Sequence, residues 1–180
     1  MRVFITAVSA ISRVLGVLAA ALLFSAVLSV SHMVFVRYVL GWSTVWQTEY
    51  TAYAIVAATF LGSPWVLIAK GHVNVDILQM AAAPPVRTAM QILSALFSLT
   101  FVSLLAYAGW FYFEEAWSGN WTSDTVWAIP LWMPLLPMPV GTIMLALQYI
   151  AEIMRLVMDG ADPVEQPPVL FNSTTDEARP

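Results

Sequence analysis

Polar and apolar positions in this chain separate into blocks. They do not alternate with the two-residue period of a half-buried strand. Residues 14–36, 50–69, 88–113 and 131–151 contain no Asp, Glu, Lys or Arg. At about 1.5 Å of rise per residue, each block makes a helix of roughly 30 Å or more, which matches a hydrocarbon core of about 30 Å. The pattern predicts an all-α integral membrane protein with four transmembrane helices, at about 14–36, 47–69, 88–113 and 134–157. Residues 1–158 then form one membrane domain, and residues 159–180 form a tail.

Between the second and third blocks, residues 73–83 are too few to cross a bilayer and stop at Pro84-Pro85. Val73, Ile77 and Met80 share one helical face while Asn74 and Asp76 lie off it, the pattern of a short interfacial helix. Such a helix either floats in the headgroups or clamps a partner. Pro64, inside the second block, removes a backbone donor and predicts a kink after Gly62. Pro130, Pro134, Pro137 and Pro139 precede the fourth span, so its helix is expected to start near Pro137 or Pro139, with Gly141 permitting a close contact.

Composition agrees with the pattern: 10% of residues are charged and 60% apolar, against roughly 25% charged in a soluble domain. The net charge of -4 lies entirely in the tail, because residues 1–158 carry six basic and six acidic side chains. Prolines, a Ser-Thr run and few apolar residues make the acidic tail read as disordered and solvated. Nothing in the chain points to nucleic acid.

Basic residues near span ends are retained in the cytoplasm. With the N-terminus inside, Arg2, Arg13, Lys70, Arg87, Arg155 and Arg179 fall on the inner side and only Arg37 on the outer. Both termini are therefore expected in the cytoplasm. Trp42, Trp46, Trp110, Trp117, Trp121, Trp127 and Trp132 then gather at the outer ends of spans as an aromatic belt, with Trp65 toward the inner side. The run from Val14 is longer than the apolar core of a cleavable signal peptide, so the first span is expected to be retained.

Candidate chemistry is sparse. The chain has no cysteine, which removes disulfides, thiol catalysis and thiolate metal sites. His32 and His72 map to opposite ends of spans, too far apart to share a haem. No Ser-His-acid set or zinc-protease pattern is present, so no catalytic, cofactor or metal residue is assigned and the chain reads as a non-enzyme. The two Asn-x-Ser/Thr triplets carry no weight. Ionisable residues, the usual markers of an ion pathway, sit near span ends and not at span centres. That pattern fits an accessory subunit better than a translocating machine.

Small residues at four-residue spacing let helices approach closely in lipid. Ala21, Ser25 and Ser29 form one such row and Ala54, Ala58 and Gly62 another. They are candidates for mutual packing, for docking onto a partner, or for rows that arise by chance in alanine-rich spans. Arg37 and Glu49 flank the outer turn and either pair there or reach water independently. Asp76 and His72 are spaced for a local hydrogen bond, and Asp76 alternatively caps an exposed end.

Arg37-Tyr38, Trp46-Gln47-Thr48-Glu49, Phe60-Leu61-Gly62 and Gly71-His72-Val73-Asn74-Val75-Asp76 occur in that order on four spans. This ordered set, with weaker support to Ile150, resembles the small membrane subunit of TRAP transporters, the DctQ-like family. The resemblance singles out Arg37, Trp46, Glu49, Gly62, His72 and Asp76 as family-pattern positions. It implies a subunit of a tripartite, ATP-independent, sodium-driven importer of organic acids in the bacterial inner membrane. A large DctM-like permease would hold the cargo and sodium sites, and a periplasmic DctP-like binding protein would deliver the ligand. The small subunit would brace the static scaffold of the permease and bind no cofactor itself. The chain departs from the family pattern at Thr48, where a second acidic residue is common. Two readings of other classes remain: a membrane anchor of a respiratory oxidoreductase, and an independent small channel or exporter.

The charge asymmetry has a direct test. Because the chain lacks cysteine, Ser123→Cys and Ser173→Cys give clean single labels. An impermeant thiol reagent applied to cells with a permeabilised outer membrane is expected to label position 123 and leave position 173 unlabelled until the inner membrane is opened. Labelling of 173 in intact inner membranes reverses the orientation.

Overall fold

The computed structural model describes residues 2–69, 84–125 and 127–159. The expected interfacial helix at 73–83 and the expected tail lie outside these residues. Helix α1 (Arg2–Phe35) continues into a π-helical turn (Val36–Leu40), and α2 (Val45–Ile68) follows. Helix α3 (Pro84–Ser118) is followed by an irregular loop, a short α4 (Trp132–Leu135), and α5 (Pro137–Asp159). Among the described residues, four helical segments are long and apolar enough to cross a membrane. Among the described residues the one β feature is an isolated bridge between Thr122 and Pro130. The end carrying the π turn and the 119–131 loop is called outer here, after the charge asymmetry.

At 34 and 35 residues, α1 and α3 measure about 50 Å, well beyond one hydrocarbon thickness. Both outrun the charge-free blocks because charged residues at block ends do not stop a helix. They mark where it leaves the apolar layer. Helix α5 starts on Pro137, whose missing N–H costs nothing in the first turn, where the amide has no partner within the helix.

Burial along α1 follows a seven-residue repeat. Ser12, Ala19 and Ala26 are buried, with Val8 and Val36 on the adjoining line, while most positions between them are exposed. Ala95, Val102, Gly109 and Ala116 of α3 repeat the pattern. A seam this narrow is the signature of a helix packed against a single line of contact, in the manner of a coiled coil. Helix α1 packs mainly on α2, α2 also on α5, and α3 on α5, with a smaller contact between α1 and α5. Helix α5 is thus the junction of the fold.

Glycines set the closest approaches. A Cβ on Gly62 would stand 3.2 Å from the Ala19 Cβ, and one on Gly16 would overlap the Trp65 side chain at 2.6–2.7 Å. Gly109 seats Met138, whose nearest atom would be 3.3 Å from an added Cβ. The tightest site joins α2 to α5. Pro64 has no N–H, so the Phe60 carbonyl loses its usual donor. The helix nevertheless runs through Pro64, and the Ser63 hydroxyl donates to Phe60 O at 2.8 Å. Gly141 lies directly against that carbonyl, so a Cβ there would overlap it.

Two polar contacts between helices, one buried and one half-buried, fix register. Ser12 Oγ donates to Gln148 Oε1 at 3.1 Å, with both residues buried, tying α1 to α5. The Ser25 and Tyr50 hydroxyls meet at 2.7 Å and tie α1 to α2. Each removes a polar group from hydrocarbon in the way lipid demands.

Gly141→Ala is expected to destabilise the fold by about 1–3 kcal/mol, the usual cost of overpacking a fitted site. Ala21→Leu, at an exposed position of α1, should stay within about 0.5 kcal/mol. Reversible unfolding in mixed micelles measures both. Equal losses would mean that the Phe60–Gly141 approach is not a tight one.

Candidate functional site

Of the family-pattern residues within the described chain, Arg37, Trp46 and Glu49 lie at the outer end, while Gly62 lies farther along α2 against Ala19. The π turn leaves Val36 buried and Arg37 through Leu40 exposed. It ends on Gly41, whose φ of 66° is the left-handed conformation that glycine adopts without strain. Trp42 N–H then closes the turn on Val36 O at 3.4 Å. Four residues of reversal bring the chain into α2, and Trp46, Gln47 and Glu49 fall in its first turns.

Each of these three side chains engages differently. Trp46 lies between His32 of α1 and Trp127 of the 119–131 loop, with ring centroids 6.2 and 6.3 Å away. Glu49 reaches across to the same loop, where Ser123 Oγ donates to its two carboxylate oxygens at 3.1 and 3.3 Å. The Ser123 hydroxyl has one proton, which goes to Glu49, so the Thr125 hydroxyl 2.8 Å away is the donor in their contact. Gln47 is 2% exposed, and its Oε1 has no hydrogen-bond partner among the described residues.

The loop that receives these contacts is itself pinned. Ser123 N–H donates to Ile129 O at 2.9 Å and Leu131 N–H to Trp121 O at 2.8 Å. Trp117 at the end of α3 meets Trp132 edge-on at 4.7 Å, and Tyr112 meets Trp121 at 5.8 Å. Tryptophan and tyrosine suit this level of a membrane, where one side of the ring is apolar and the other wet. The result is a cap that joins the starts of α2 and α4 to the ends of α1 and α3.

Arg37 takes no part in it. Among the described residues no ion pair joins Arg37 to Glu49; the carboxylate turns to Ser123, and the π turn carries Arg37 to the exposed side. At the opposite end, Arg155 forms a two-point ion pair with Glu152, with Nε–Oε2 at 3.0 Å and Nη2–Oε1 at 2.5 Å. His72 and Asp76 lie outside the described residues.

The small-residue rows are placed as follows. Ala54 and Ala58 are buried, Gly62 faces Ala19, and Ala21 is exposed. Ser25 and Ser29 are half-buried, and Ser29 Oγ has no hydrogen-bond partner among the described residues. Both serines line a groove of about 320 Å³ with Leu28, His32, Trp46 and Tyr50. Among the described residues no three His, Asp or Glu side chains come together to hold a metal ion.

Sequence reasoning missed Gln47, Ser123 and the Ser12–Gln148 contact as structural residues. Gln148 carried a visible signal, as an amide inside a charge-free block. Ser12 carried another, standing seven residues before Ala19 on the line that leads to Ala26. Ser123 carried none, because its role depends on how the loop folds back.

Glu49→Ala and Ser123→Ala are expected to be coupled by about 0.5–1.5 kcal/mol, the net range of a hydrogen bond. Glu49→Gln and Arg37→Ala should add within about 0.5 kcal/mol. Double-mutant cycles on unfolding in micelles compare them. Strict additivity for Glu49 and Ser123 would remove the latch from this account.

No curated protein matches the sequence. A family model described as the DctQ component of tripartite ATP-independent periplasmic transporters matches residues 26–159, from the last third of α1 through the end of α5. That stretch contains the whole outer cap and all of α2, α3 and α5. It covers most of the chain, and the helices it spans are the four that the apolar pattern predicts. By this match across the membrane domain, the chain belongs to the DctQ component family, the small membrane subunit of TRAP transporters.

Proposed function

We propose that this chain braces the large permease subunit of a sodium-driven organic-acid importer and contributes no cargo or sodium site of its own. The large permease would be DctM-like, and a periplasmic DctP-like protein would deliver cargo to the pair. The observation that carries this reading is the absence of any ionisable side chain from the span centres, in a chain that belongs to a transporter component family. Ionisable side chains within spans mark substrate and ion pathways, and sodium sites in transporters are built on broken helices near the midplane.

The internal contacts support a bracing role. The buried polar residues Ser12, Gln47, Thr142 and Gln148 are spread along the bundle and do not form a file. Ser12 and Gln148 satisfy each other, and Thr142 donates to the Met138 and Pro139 carbonyls of its own helix. The Ser12–Gln148 contact holds α1 and α5 in register. The long, sparsely buried α1 and α3 leave extended apolar surface free for lipid and for a larger partner. Both termini are taken to face the cytoplasm, as the distribution of Lys and Arg indicates.

Reconstitution separates the readings. Liposomes are prepared with this chain alone, with the large permease alone, and with both, each supplied with the binding protein and a sodium gradient. Uptake is expected only when both membrane chains are present. Uptake by this chain alone would overturn the bracing role in favour of an independent transporter. A haem absorbance band in the purified chain would favour the oxidoreductase anchor.

A further inference from the structure

We draw no further inference here: the strongest candidate, the groove between the outer halves of α1 and α2 lined by Ser25, Leu28, Ser29, His32, Trp46 and Tyr50, is a mostly apolar, unpartnered face, and nothing in the structure shows what covers it.

Discussion

Helices in hydrocarbon gain little by hiding apolar side chains from one another, because lipid is as apolar as leucine. What remains is close contact: dispersion grows as backbones approach, and approach is limited by whatever side chain stands between them. In this chain the limit is set at a few positions. Gly62 lets Ala19 in, Gly16 lets Trp65 in, Gly109 seats Met138, and Gly141 lies against the Phe60 carbonyl. The last contact does two things at once. It brings α5 onto α2, and it covers a carbonyl that Pro64 has left without its backbone donor. With α5 held there, α1 reaches it through Ser12 and Gln148 and α3 packs against it, while α1 packs mainly on α2.

The arrangement fits the bracing role proposed for this chain. A brace needs fixed geometry and a large surface. Fixed geometry comes from the glycine contacts in the apolar layer and from the aromatic and hydroxyl contacts of the outer cap, where Trp46 and Glu49 hold the 119–131 loop. Surface comes from the narrow seams of α1 and α3, which bury one line of each helix and leave the rest outward. A closed four-helix bundle of the same length would bury more and offer less.

Much of this was legible in the sequence. The four blocks without charge predicted the spans, and the fourth helix starts at Pro137 as the proline pattern required. On α2 the four-residue row of Ala54, Ala58 and Gly62 was visible. On α1 the same spacing picked Ala21, Ser25 and Ser29, while the buried line runs through Ser12, Ala19 and Ala26. The physical reason is the helix period. A four-residue step advances about 40° beyond a full turn, so such a row winds off a long contact, whereas a seven-residue step stays close to it. Arg37 and Glu49 had opposite charges and suitable spacing, but a π turn is not encoded in a pattern of hydropathy. The extra residue that it places in the turn carries Arg37 away. The Ser123 contact depends on the fold of an irregular loop, and no periodicity reports that.

The most direct test of the packing account uses the absence of native cysteine. Ala19→Cys with Gly62→Cys places two thiols where the Cβ atoms would be 3.2 Å apart, and a small relaxation brings them to the separation of a disulfide, about 3.5–4.5 Å. Mild oxidation in native membranes should cross-link this pair efficiently and leave Ala21→Cys with Ala58→Cys largely unlinked. Failure of the first pair, or efficient linkage of the second, would contradict the close packing of α1 on α2 through glycine and alanine.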